Sequence, residues 1–194
     1  MFQVRLHGRG GQGVVTAAEM LSIAGFNEGK HAQAFPSFGS ERTGAPVVSF
    51  CRLDDKEIRR REPILEPDCL IIQDPTLFQA LDVFMGLKPT GFVLINSTKS
   101  WEELGIADRV AGLPEGNVVG VNATMLAKKH VGRPVPNAAL LGGFAAISGQ
   151  ISLEAVEKAI GTKFGGKIAE GNIAAARAAY AAALEGKSND ADAA

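Results

Sequence analysis

The chain has 194 residues, 46% of them hydrophobic, with 20 basic and 21 acidic side chains and a formal net charge of −1. That is enough for one sizeable core, and it provides no global basic field that would draw the chain to nucleic acid or an anionic membrane surface. No apolar run approaches a membrane span and no charged-then-apolar leader opens the chain, so a single cytoplasmic domain over residues 1–186 is expected, with a flexible tail at 187–194.

Phe2 to Leu6 reads as a short strand, and Val14, Ala18 and Leu21 recur at helical spacing. Between them stand Gly8, Arg9, Gly10, Gly11, Gln12 and Gly13, so the opening is strand, glycine turn, helix. Glycines there leave backbone N–H groups uncovered and free to adopt positive φ, at the positive end of a helix dipole where a phosphate is stabilised. Gly8-x-Gly10-x-x-Gly13 also fits the dinucleotide fingerprint, which expects an acid at the end of the second strand to hold a ribose. The second strand, Lys30 to Ala34, ends without one; Glu28 precedes it.

Residues 35–46 form a long loop with two aromatics, two prolines, two glycines and the adjacent Ser40, Glu41 and Arg42. Such a loop inside a compact domain is functional or disordered, and its two Phe residues argue for order. Arg42 then faces an anion or a partner chain, or pairs with Glu41 at the surface. Val47 to Leu53 is a strand, Arg59-Arg60-Arg61 with acids on either side a solvated edge, and Pro63 and Pro67 bracket a connector.

Strand and helix then alternate. Cys69 to Ile72 is an apolar run suited to a strand covered on both faces. Asp74-Pro75 opens a helix with Leu77, Phe78, Leu81 and Met85 on its apolar side. Gly91 to Asn96 and Val118 to Asn122 are further buried strands, with a helical turn at Trp101 to Leu104 between them and a helix through Ala127 after them. Asp74, Asn96 and Asn122 end three strands at the carboxyl edge where open parallel sheets bind ligands, although each also suits a helix N-cap. The last third is helical: Asn137 caps a segment bearing the Gly142-Gly143 pair, Ser152 opens the next, and Ile173, Ala176, Tyr180 and Leu184 stripe the last. The fold class is therefore α/β, a Rossmann-like three-layer domain with a mostly parallel sheet and a helical C-terminal third.

Cys51 and Cys69 are too few for a four-cysteine iron–sulfur cluster and read as buried thiols, and His7, His31 and His130 show no metal-ligand spacing. With no nucleophile elbow and no His–carboxylate arrangement, no catalytic set is legible. Such a domain holds a ligand as part of something larger.

Two motifs together resemble the gamma subunit of pyruvate (2-oxoacid):ferredoxin oxidoreductases: Gly8 to Gly13 followed by Val14-Val15-Thr16-Ala17-Ala18, and Pro36 to Pro46. The strand end at Asp68 to Pro75, the glycine pair in Asn137 to Phe144, and Gly171-Asn172 extend the likeness over residues 1–185. Several members carry two glycines after the arginine, where Thr43-Gly44-Ala45 stands here, closer to the pyruvate-type pattern.

The resemblance implies a subunit of a complex that oxidatively decarboxylates a 2-oxoacid with coenzyme A to acyl-CoA and CO2. Pyruvate is the commonest substrate; 2-oxoglutarate, branched-chain and aromatic 2-oxoacids such as phenylglyoxylate or indolepyruvate stay open. It further implies thiamine diphosphate with Mg2+ and iron–sulfur (4Fe–4S) clusters in alpha, beta and delta partner subunits. Electrons would leave to ferredoxin, or to NAD through a flavin (FAD) subunit. No redox centre is implied in this chain, which would help enclose CoA. Gly8, Arg9, Gly10, Gly11, Gln12, Gly13, Ser40, Glu41, Arg42, Asn96 and Asn122 are the candidate CoA-phosphate or core-contact residues. A stand-alone NAD(P)-binding domain and a purely structural subunit are the rival readings.

Overall fold

The computed structural model describes residues 1–37 and 43–191, with side chains up to Lys187. Among these residues six strands form one sheet in the order β2-β3-β1-β4-β5-β6: β1 Phe2–Arg9, β2 His31–Pro36, β3 Pro46–Asp54, β4 Cys69–Ile72, β5 Phe92–Ile95 and β6 Val118–Gly120. β3 runs antiparallel to both β1 and β2, while β1, β4, β5 and β6 pair in parallel, so the sheet is mixed but mostly parallel, as expected of an α/β fold. The helices are α1 Val14–Asn27, α2 Ala107–Val110, α3 Ala123–Val131, α4 Asn137–Ser148, α5 Leu153–Lys163 and α6 Gly166–Ala191.

Alternation along the strands divides the core in two. Val4, Leu6, Cys69, Ile71 and Leu94 face a cluster built with α1, α4, α5 and α6. Leu70, Ile72, Val93 and Ile95 face a smaller cluster with Leu77, Val83, Phe84, Ile106 and Val110. Covering on both sides is why β4 and β5 read as unbroken apolar runs. On the helical side the close approach is made by small residues. At Gly142 of α4 an added Cβ would lie 2.0 Å from the backbone oxygen of Ala176 in α6. Ala175, Ala176, Ala179 and Ala183 of α6 are all fully buried.

The other side is covered mostly by irregular chain. The apolar spacing at 77, 78, 81 and 85 predicts a helix, but only one 3₁₀ turn forms, Pro75–Gln79. Asp82 accepts a hydrogen bond from the Phe84 N–H (3.2 Å), a local bond that competes with helix. Leu77, Val83 and Phe84 are the buried residues, whereas Met85 is 61% exposed. α2 was not legible in the sequence, because a single turn carries too little periodicity to detect. Asn137 is the first residue of α4 rather than its cap, a position taken by Pro136. α6 carries helical backbone past Lys187, where fraying was expected, to Ala191. Cys51 and Cys69 are buried and free. Both stand opposite Val4 from flanking strands, so two strand spacings (about 9.6 Å) separate them, beyond disulfide reach.

Candidate functional site

The glycine turn leaves β1 at the carboxyl edge of the sheet and enters α1 through Gly13, whose φ of 71° is left-handed. Gly11 has φ 95°, so both positions are strained for any side chain. Among the described residues no side chain caps α1, and no acid stands in its first turn. The first helical bond runs from the Ala17 N–H to the Gly13 carbonyl, so the N–H groups of Val14, Val15 and Thr16 precede it. The rest of the turn is less open than its glycines suggest. The Gly10 N–H donates to Ala45 O (2.9 Å), the Gly44 N–H to Gly10 O (3.1 Å), and the Gln12 N–H to Arg9 O (3.1 Å).

Arg9 and Gln12 are engaged as well. Arg9 donates to Thr76 Oγ1 through Nε and Nη2 (3.2 and 3.0 Å) and to Gly44 O through Nη1 (3.1 Å), with Nε 3.3 Å from Asp74 Oδ2. Gln12 accepts the Arg9 N–H at Oε1 (2.7 Å) and donates through Nε2 to Asp74 Oδ2 (2.8 Å). Asp74 is the N-cap of the 3₁₀ turn, accepting the Thr76 N–H at Oδ1 (3.0 Å) and the Thr76 hydroxyl (2.6 Å). Burial pushes its carboxyl pKa up, but the hydrogen bonds from Thr76 and Gln12 and the charge of Arg9 outweigh that and hold it below the usual value.

The other strand-end residues turn inward. Asn96 donates through Nδ2 to Gln73 O (2.8 Å) and Thr124 Oγ1 (2.7 Å) and accepts the Thr124 N–H at Oδ1 (3.1 Å), tying β4 and β5 to α3. Asn122 caps α3 by accepting the Met125 N–H (3.2 Å). Beside Gly8, Gln73 is 1% exposed, and neither of its side-chain polar atoms is hydrogen-bonded among the described residues. Ser40, Glu41 and Arg42 lie outside the described residues.

Two pockets flank the glycine turn. One, about 250 Å³, is lined by Arg9, Gly10, Gly11, Val14, Val15, Thr43 and Val47. The other, about 240 Å³, lies between Gly11, Gly13 and Thr16 on one side and Arg133, Val135, Asn137, Phe164, Ile168 and Asn172 on the other. Its walls are mainly apolar, and Arg133 has no carboxylate partner among the described residues. Asn137 packs so closely on Gly13 that a Cβ there would meet its Nδ2 at 2.5 Å. Sequence reading missed Arg133, because a lone arginine after a helix C-terminus carries no pattern; only the fold brings it to the glycine turn.

The second strand is not where a ribose-binding acid is needed. β3 separates β2 from β1, so the end of β2 lies two strands from the glycine turn. Glu28 accepts the N–H of Ser152 at 2.8 Å and ties α1 to α5. Among the described residues no three His, Cys, Asp or Glu gather as metal ligands, and no helix is long and apolar enough to cross a membrane.

Residues 3–182 match the family model described as pyruvate ferredoxin/flavodoxin oxidoreductase. The chain is 47% identical over 180 residues to the pyruvate/ketoisovalerate oxidoreductases common subunit gamma of Pyrococcus furiosus, covering 93% of this chain and 96% of that one. It is 46% identical, with the same coverage, to pyruvate synthase subunit PorC of Methanocaldococcus jannaschii. The crystal structure of the pyruvate oxidoreductase subunit PORC from Thermotoga maritima superposes with a TM-score of 0.77 at 33% identity, covering 93% of this chain and 96% of the other. The chain belongs to the pyruvate ferredoxin/flavodoxin oxidoreductase family and is a gamma-type subunit of a 2-oxoacid:ferredoxin oxidoreductase complex.

Proposed function

We propose that this subunit helps enclose coenzyme A while partner chains decarboxylate a 2-oxoacid and release acyl-CoA and CO2. The observation that carries the reading is the N-terminus of α1, uncapped among the described residues and opening between two pockets, one of them bordered by Arg133, which has no carboxylate partner among those residues. Helix N–H dipoles and a guanidinium suit the phosphates, and the apolar walls at Val135, Phe164 and Ile168 suit the uncharged parts of the molecule. With Arg9 committed to Asp74, Thr76 and Gly44, Arg133 is the better charge partner; Arg42 is assigned an approach to the active-site side on the family motif alone.

In this proposal thiamine diphosphate, Mg2+ and the 4Fe–4S clusters belong to alpha, beta and delta subunits, with FAD in an added subunit where NAD is the acceptor. The two cysteines do not suit an iron–sulfur cluster: they are buried on separate strands, and burial pushes both thiols well above their usual pKa. The named relatives act on pyruvate or ketoisovalerate, and pyruvate is the first substrate to assay, followed by branched-chain and aromatic 2-oxoacids. Ferredoxin is the first acceptor to assay.

The test is to purify the complex through a tag on this chain, identify the co-purifying subunits by mass spectrometry, and measure acyl-CoA formation. Arg133→Ala should raise the KM for CoA about tenfold with kcat at saturating CoA kept. An unchanged KM in an intact complex would refute the CoA assignment. Recovery of a lone chain that binds NAD would instead favour a dinucleotide domain.

A further inference from the structure

The structure assigns to Asp74 the positioning of the glycine turn, an inference that rests on the CoA reading above for its consequence but not for its geometry. The two carboxylate oxygens do different jobs. Oδ1 faces its own chain, accepting the Thr76 N–H and hydroxyl, and that is the cap. Oδ2 faces the turn, accepting Gln12 Nε2 at 2.8 Å and standing 3.3 Å from Arg9 Nε. Gln12 in turn holds the Arg9 N–H at 2.7 Å, so one acceptor on β4's exit fixes both shoulders of the turn. Arg9 extends the chain of bonds to Gly44 O, and Gly44 and Ala45 are hydrogen-bonded to Gly10. The segment entering β3 is thereby joined to the same carboxylate.

Gly11 and Gly13 give the turn its shape but also its freedom, since glycine has the most conformational entropy to lose. A turn that presents N–H groups to an anion must be held before the anion arrives, or binding bears the cost of ordering it. Among the described residues, Gln12's side chain hydrogen-bonds only to Arg9 and Asp74. Asp74 is therefore a positioning residue that acts through Gln12 and Arg9.

Asp74→Asn separates the two jobs. Asn is as good an N-cap as Asp, so the Oδ1 side survives, but the Oδ2 position becomes an NH2 group facing the donors of Gln12 and Arg9. Adding Gln12→Glu restores a donor–acceptor match in reverse, with the amide of residue 74 donating to the carboxylate of residue 12 and the negative charge returned beside Arg9. In the assembled complex without CoA, Asp74→Asn should speed amide exchange at residues 8–13 about tenfold and raise the KM for CoA about tenfold, with kcat at saturation kept. The double variant should bring both back toward wild type, a rescue that a purely capping role does not predict. Faster exchange with an unchanged KM would uphold Asp74's role while removing the CoA reading. Unchanged exchange at residues 8–13, or a double variant no better than Asp74→Asn, would overturn the assignment.

Discussion

The two faces of the sheet solve the same covering problem in different ways. On one face, α1, α4 and α6 satisfy their own backbone groups and need only apolar contact, so small residues suffice: Gly142 against Ala176, and a row of buried alanines along α6. On the other face, beside β1, the cover is irregular chain whose carbonyls have no helix to satisfy them. Two buried arginines do so. Arg5, 5% exposed, donates to Ile64 O (3.4 Å), Val83 O (2.9 Å) and Met85 O (2.6 Å), and through Nε to His7 (3.0 Å). Arg52, 1% exposed, donates to Arg60 O (3.4 Å), Glu62 O (2.6 Å) and the side-chain oxygens of Gln3 and Gln33, and lies over the Phe35 ring. Both buried arginines thus lie under the irregular cover, where their charge holds the backbone. The glycine turn repeats the second solution, with Asp74 as acceptor in place of arginine as donor.

Breaking the polar cover should cost most. Arg5→Met leaves three carbonyls without a donor and should destabilise the chain by about 3–5 kcal/mol in urea unfolding, with exchange rising first around residues 64 and 83–85. If Arg5→Met were neutral, the carbonyls would not depend on the guanidinium and the contrast between faces would fail.

The helical face has its own breaking point. Gly142→Ala drives a methyl into the Ala176 backbone and should cost about 3 kcal/mol. At Gly143 the atoms nearest an added Cβ are the Leu94 methyl carbons, at 3.1 Å, so Gly143→Ala should cost about 1 kcal/mol or less. Equal gains at the two positions would show that helix propensity, which favours Ala over Gly, and not close approach, governs the pair.

His7 supplies a pH signature of the polar face. Burial, then the nearby Arg5 charge, lowers its pKa from 6.5 to about 3. The unfolded chain thus binds a proton that the folded chain refuses, so stability falls as pH drops from 6.5 toward 3. Between pH 7 and pH 5 the loss should be about 2 kcal/mol, and His7→Gln, whose amide oxygen still accepts from Arg5, should remove it. A variant with the wild-type pH slope would locate the titration elsewhere. The smallest effect belongs to the helical surface: Arg177 pairs with Glu157 at 2.6 Å but is 63% exposed, so Arg177→Ala should cost about 0.5 kcal/mol or less.

The sequence revealed what periodicity and capping encode. β4 and β5 stood out as apolar runs, and Ser152 and Asn122 cap helices as their chemistry suggests. The cover over the second core cluster was not legible, because residues 77–85 carry helical apolar spacing while Asp82 and the Arg5-bound carbonyls of Val83 and Met85 favour turns. At the candidate site the glycine turn was legible as a motif, whereas its state of engagement was not. That Arg9 is spoken for, that Asp74 does more than cap, and that Arg133 reaches the turn from beyond α3 are long-range facts, fixed by pairs of residues 65 or more positions apart in two of the three cases.

If the α1 N-terminus takes part in holding CoA, hydrogen–deuterium exchange on the assembled complex with and without CoA will register it there. Slower exchange at the amides of residues 11–16 and around residue 133 on adding CoA is the predicted result. Unchanged exchange at both places, in a complex that still turns over CoA, would contradict it and leave the glycine turn a contact to protein alone.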